Sequence, residues 1–262
     1  MLAGMHRTLA RARLVGAAVT ILALAGPATA SAGVLDSLRG WWPMWEGRGQ
    51  LVNDWSGHGH AGQLGSTGGV DDNDPTWIRS GFLGLIPALR FDGDDFVRIP
   101  DSNDLEPERV TVAAWVRATQ SPGTFRYIVG KGADNCSGSS YALGTFNHGG
   151  IGFIAYHNGN WVRTWQVYPD LVWDGKWHFV AGTYDGTTAR LFLDGKSMGD
   201  SAPGGAIDYG LPTTGDTGIG GYLGTCDLYY TGDVAQVSVF ADALPVDRLW
   251  SSLTALLPKP AR

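Results

Sequence analysis

Apolar and polar residues alternate over short stretches along most of this chain, and turn-forming residues close off each stretch. The clearest runs are residues 89–99, 110–117, 127–130, 141–146, 152–157, 161–167, 177–184, 189–193, 217–220 and 233–240. A period of two, bounded by Gly, Asp, Asn or Pro, predicts β-strands, and their regular spacing is the signature of a sandwich or jelly roll. In the second run Val110, Val112, Ala114 and Val116 share one face, while Thr111, Ala113 and Trp115 share the other. Both faces read as covered, which suits a central strand. Asp185-Gly186 and Asp194-Gly195 bracket residues 189–193. Asp-Gly supplies the positive φ angles of hairpin turns, so the strands on either side are expected to pair antiparallel. Leu191 and Leu193 put one apolar face on the strand between them. Residues 65–80, 133–140 and 200–215 are rich in Gly, Asp, Ser and Pro and read as loops. Pro245 opens a short helical pattern with Leu249, Leu253, Leu256 and Leu257 at helical spacing.

Composition agrees with strands and tight turns: 44% of the 262 residues are hydrophobic and 17% charged, with 39 Gly and 11 Trp. Residues 1–32 do not belong to this pattern. Arg7, Arg11 and Arg13 precede an uncharged apolar run over residues 14–25, followed by Ala28-Thr29-Ala30 and Ala30-Ser31-Ala32. That order predicts a secretory signal peptide, leaving residues 33–262 as a single extracellular domain. The run is shorter than the ~20 apolar residues of a membrane span, and no span is expected after cleavage. Loss of three arginines takes the formal charge from −6 to −6 − 3 = −9. With four lysines in the whole chain and no basic run after residue 32, nucleic acid is excluded as a partner. In an oxidising compartment Cys136 and Cys226 read first as a disulfide, the alternative being two separate buried thiols.

Seven segments together resemble a known family. They are residues 42–47 (Trp-Pro-Met-Trp-Glu-Gly), 54–62 (Asp-Trp-Ser-Gly-His-Gly-His-Ala-Gly), 89–93 with 95–97, 111–116, 130–132 with 141–143, 177–186 with 193–195, and 232–237 with 243–244. In this order they resemble laminin-G-like domains of the concanavalin A-like lectin/glucanase superfamily. The resemblance implies an all-β fold, a two-sheet antiparallel jelly-roll sandwich. It also implies a calcium ion at the rim, with Asp54 as the side-chain ligand and carbonyls near Gly57 and His60 beside it. Where relatives often carry an acidic residue in the last long strand, this chain has Ala235 followed by Gln236, which takes the remaining place in the expected set. The plainer reading of Asp54 is a carboxylate that ties its own turn together.

His58 and His60 stand two apart, but zinc needs further ligands that the sequence does not show, so turn residues are the better account. Catalysis is not expected. Glucanase relatives carry Glu-x-Asp-x-Glu on one strand face, whereas this chain has three glutamates, Glu46, Glu106 and Glu108, and no such motif. Trp161, Trp165 and Tyr168 crowd the stretch after the Asn158-Gly159-Asn160 turn and are candidates for stacking on sugar rings; alternatively the tryptophans pack on a sheet face. The expected function is a secreted, non-catalytic carbohydrate-binding or adhesion module, with calcium as a possible stabiliser and a glycan, matrix or cell-surface ligand as partner. The alternatives are a polysaccharide-degrading enzyme of the same fold and a structural protein-interaction domain.

Overall fold

The computed structural model describes residues 33–82, 86–164, 166–246 and 249. The proposed signal peptide, Trp165 and most of the expected C-terminal helix lie outside the described residues. Two antiparallel sheets face each other. The first runs, in spatial order, Lys196–Asp200 (β14), Ala189–Leu193 (β13), His178–Tyr184 (β12), Val110–Arg117 (β7), Thr231–Phe240 (β16), Ile86–Asp92 (β5) and Thr76–Phe82 (β4), with Leu38–Trp42 (β1) also paired to β16. The second runs Asn160–Arg163 (β11), Ile151–His157 (β10), Tyr141–Thr145 (β9), Tyr127–Ala133 (β8), Thr214–Ile219 (β15), Val97–Ile99 (β6), Gly62–Leu64 (β3) and Leu51–Val52 (β2). This is the expected antiparallel jelly-roll class.

Strand β7 is central and buried on both sides. Val110, Val112, Ala114 and Val116 point into the core between the sheets, with Leu143, Phe153, Leu191 and Val234 in the same cluster. Ala113 and Trp115 join a second cluster with Phe179, Ala181 and Ala235, which Val34, Leu244, Val246 and Leu249 cover. Close approach of the sheets dictates Gly182 in β12, because a Cβ there would enter the Phe153 ring. The outer face of the second sheet carries a third cluster, Tyr127, Ala142, Ile154 and Tyr222, against which Cys226 packs. Cys136 and Cys226 form the expected disulfide, with Cα atoms 5.4 Å apart across a separation of 90 residues. By chain entropy alone such a long closure is worth roughly 4–5 kcal/mol.

Both Asp-Gly hairpins form. Tyr184 pairs with Ala189 across the first, and Asp194 and Gly195 take φ of 49° and 79° in the second. The boundaries differ from expectation in several places. Residues 76–80 belong to strand β4 rather than to a loop; as an edge strand it needs a partner on one side alone, so its Arg, Ser and Gly do not show the alternation of a half-buried strand. The run 89–99 is two strands in different sheets, divided by a turn at residues 93–96. Strand β11 ends at Arg163 rather than continuing to Val167. Strands β8 and β15 each extend into a segment read as loop. The short strands β1 to β3 were not expected, because two to five residues are too few to show a period. The first turn of the C-terminal segment is marked by the Leu249 N–H donating to the Pro245 carbonyl at 3.1 Å.

The turn that carries the chain from β5 to β6 holds Asp95, which is buried and accepts from the Asp92 N–H at 2.8 Å. Burial pushes the Asp95 carboxyl up to about 6; the Asp92 hydrogen bond opposes this and the neighbouring Asp92 and Asp94 charges reinforce it. A carboxyl raised in the folded state binds more protons there than in the unfolded chain, so its contribution worsens as pH rises from about 4 to about 6. Asp95→Asn is therefore expected to match wild-type stability near pH 4 and to exceed it by roughly 1–3 kcal/mol at pH 7. Denaturant unfolding at the two pH values checks this; an equal difference at both would contradict it.

Candidate functional site

The Asn158-Gly159 turn, with φ of 48° and 73°, joins β10 to the edge strand β11 in register, His157 opposite Asn160 and Ile154 opposite Arg163. Alternation along β11 buries Val162 in the main core and places Trp161 and Arg163 on the other side, the Arg163 guanidinium 5.8 Å from the Trp161 ring centre. The segment after β14 runs alongside. Its backbone is held by the Gly204 N–H to Thr187 O at 2.6 Å, the Asp208 N–H to Tyr156 O at 2.8 Å and the His157 ring to Ala206 O at 2.7 Å.

Three hollows lie along this edge. The first, about 540 Å³, is lined by His157, Asn158, Asn160, Trp161, Arg163 and Ala202 to Gly204. A second of about 360 Å³ shares Arg163 and Ala202 with it and adds Asn147, Thr164, Gln166, Asp200 and Ser201. A third of about 360 Å³ shares Asn147 and Gln166 with the second and ends at Tyr168 and Pro169. The shared residues make one elongated groove, with an aromatic ring toward each end and amides, a hydroxyl and a guanidinium between. Trp161 is half-buried, whereas Tyr168 is 76% exposed. Trp161 Nε1 and Gln166 Oε1 are buried and lack a hydrogen-bond partner within the protein. Trp161 and Tyr168 thus both line the groove, while the Trp161 ring also packs on the outer-face cluster of Tyr127, Ile154 and Tyr222, the alternative read from the sequence; Trp165 lies outside the described residues. Asn147, Gln166, Arg163 and Ser201 were not singled out from the sequence, since groups scattered over some fifty residues leave no local pattern.

The Asp54 segment is built differently. Asp54 Oδ1 accepts from the Trp41 and Ser56 N–H groups at 2.9 and 2.8 Å, and Oδ2 from the Ser56 hydroxyl and the His60 N–H at 2.8 and 3.0 Å. Burial works to raise the Asp54 carboxyl, but these bonds outweigh it and hold the group below the usual carboxylate range. The His60 carbonyl accepts the Trp42 indole N–H at 2.6 Å. Gln236 sits at the bulge in β16, with φ of 53°, where the strand changes partner from β5 to β1. Its Oε1 accepts from Trp41 Nε1 at 3.2 Å and its Nε2 donates to the Pro43 carbonyl at 3.4 Å. Gly57 is exposed with φ of 93°. Calcium requires six to eight oxygen ligands, and a carboxylate offers about four lone-pair positions. Here four protein donors take those positions, and the His60 and Gln236 oxygens also serve the protein. As it stands this donor set does not fit a resident calcium ion. The same rim shows two exposed indoles, Trp45 and Trp55, whose ring centres are 5.1 Å apart.

A sequence model described as the concanavalin A-like lectin/glucanases superfamily, of laminin-G type, matches residues 91–249. No curated protein matches the chain in sequence. Among solved structures, the binding domain of Paraclostridial Mosquitocidal Protein 1 superposes with TM-score 0.64 at 10% identity, over 85% of this chain and 53% of that one. Domain 4 of AbnA, a GH43 extracellular arabinanase from Geobacillus stearothermophilus in complex with arabinotriose, gives TM-score 0.59 at 14% identity, over 82% and 97%. The botulinum neurotoxin serotype C1 binding domain gives 0.60 at 14%, over 86% and 53%. The chain thus spans about half the length of the two toxin domains and nearly all of the arabinanase domain. Identities this low establish a shared fold.

If Asp54 is a hydrogen-bonding clamp, Asp54→Ala costs about 2–4 kcal/mol whether or not calcium is present. Thermal melting at constant ionic strength checks it. Calcium and magnesium are expected to shift wild type and variant alike; a calcium-specific rise confined to wild type would restore the cation site.

Proposed function

The chain belongs to the concanavalin A-like lectin/glucanase superfamily, and from that premise we propose that it is a secreted, non-catalytic module that binds an extended glycan along the β11 groove. The observation that carries this reading is the continuity of the groove through Arg163, Ala202, Asn147 and Gln166. Sugar rings offer apolar faces to aromatic side chains and hydroxyls to amides and guanidinium groups, so alternating ring and polar positions suit a linear oligosaccharide. The arabinanase domain of the same fold, in complex with arabinotriose, supports a saccharide as the ligand class. The disulfide supports an oxidising, extracellular setting. Among the described residues, no helix is long and apolar enough to cross a membrane.

Two of the three glutamates are tied to structural partners, which supports binding rather than hydrolysis. Glu46 Oε1 accepts from the Asn53 N–H and side-chain amide at 3.1 and 2.8 Å. Glu106 stands 3.0 Å from the ammonium of Lys131, a side chain 1% exposed, so its charge compensates a buried cation. Each has a structural duty that a general acid or nucleophile would have to leave.

A glycan array with the purified mature protein, followed by calorimetric titration of the best oligosaccharide, tests the proposal. Tyr168→Ala removes an exposed ring and should weaken binding by about tenfold, near the upper worth of one aromatic stacking contact, without changing the melting temperature. Arg163→Ala should weaken it similarly. Failure to bind any glycan would refute the ligand class; binding untouched by both variants would refute the groove.

A further inference from the structure

The Asp54 turn brings His58 and His60 up against Asp104, from the 3-10 turn Asn103–Leu105 that precedes β7. Both imidazoles meet the same carboxylate oxygen: His58 Nδ1 lies 3.1 Å and His60 Nε2 lies 3.4 Å from Asp104 Oδ2. One ring nitrogen from each histidine and one Asp104 oxygen lie within 4.8 Å of one another. The rings stack nearly parallel, 16° apart, with centres separated by 6.1 Å. We propose that His58, His60 and Asp104 form a binding site for a zinc-class divalent transition metal, three protein ligands with a fourth position open to solvent.

The spacing fits the chemistry. Ligand atoms about 2.0–2.2 Å from a tetrahedral metal stand roughly 3.3–3.6 Å from one another, close to the two distances that Asp104 Oδ2 already makes. Two imidazoles and one carboxylate suit zinc, cobalt or nickel rather than calcium or magnesium, which take oxygen. His60 supplies the second observation. Its side chain is nine-tenths buried, yet Nε2 makes no hydrogen bond, lying near Oδ2 without the geometry for one. A buried nitrogen held 3.4 Å from a carboxylate oxygen without a formed hydrogen bond calls for an explanation, and a metal ion at the convergence point supplies it. His58 and Asp104 are 34% and 50% exposed, which leaves the entry path and the fourth position open.

The ligands are also held in place before any metal arrives. The His60 N–H is bound by Asp54 Oδ2 at 3.0 Å, the His58 N–H by Ser56 Oγ at 3.2 Å, and the Asp104 N–H by Ser102 Oγ at 3.3 Å. Backbone bonds from neighbouring side chains thus fix the origin of all three ligands, the kind of support that a preorganised metal site requires. A bare His58–Asp104 surface pair accounts for neither the buried Nε2 nor the convergence of both rings on one oxygen. The bound ion would clip the opening turn to the segment leading into β7.

Chelator-treated, tag-free mature protein titrated with zinc chloride tests the site, with cobalt chloride giving a visible-absorption readout of the ligand field. One equivalent per chain is expected, with intense visible bands for cobalt in a low-coordinate site. His58→Gln and Asp104→Asn, both at exposed positions, should each weaken zinc by about tenfold or more and abolish the cobalt bands while leaving the metal-free melting temperature unchanged. Absence of zinc binding by wild type, or binding that both variants retain, overturns the proposal.

Discussion

Strand β7 turns valines to one side and Ala113 and Trp115 to the other, so the chain has to cover two apolar faces rather than one. The second sheet covers the first face. Residues from both ends of the domain, Val34 with Leu244, Val246 and Leu249, cover the second. The same demand recurs on the far side of the molecule, where Tyr127, Ala142 and Ile154 would face water. There the loop containing Asn135 and Cys136 and the loop around Tyr222 to Cys226 close over them. Tyr222 donates to Gly138 O at 2.8 Å, the Thr225 N–H to Asn135 O at 3.1 Å, and the disulfide joins the two loops. With the outer faces occupied in this way, the surface left open is the groove along the β11 edge, where the proposed glycan would lie.

The opening motif is architecture first. Strand β16 pairs with β5 over its first half and with β1 over its second, and Gln236 occupies the bulge at the exchange. Trp41 links this bulge to the Asp54 turn, giving its indole N–H to Gln236 and its backbone N–H to Asp54. A residue expected to hold a cation instead organises a junction between strands. The junction in turn holds the backbone from which His58 and His60 reach Asp104.

What was legible in the sequence is what short-range patterning controls. The covered faces of β7, the Asp185-Gly186, Asp194-Gly195 and Asn158-Gly159 turns, and the cysteine pair all depend on residues a few positions apart or on simple parity. Strand β4 was hidden because an edge strand tolerates polar residues, and the run 89–99 concealed a change of sheet because apolar residues continue on both sides of the turn. The sites were harder. Trp161 and Tyr168 were singled out by their chemistry, but the groove that joins them needs Asn147 and Ser201 from other loops. His58 and His60 lacked a third ligand in sequence because Asp104 lies more than forty positions away, brought near only by the packing of the 3-10 turn beside β1.

A scaffold closed on its broad faces and open along one edge makes a spatial claim that amide chemical shifts can read directly. The measurement is a titration of the nitrogen-15-labelled mature protein with its tightest-binding oligosaccharide, followed residue by residue. The account predicts shifts concentrated in residues 158–163, 166–168 and 200–204, with β7 and the Cys136 and Cys226 loops unchanged. Shifts centred on those loops, or on the Trp45 and Trp55 rim with the β11 edge silent, would contradict it.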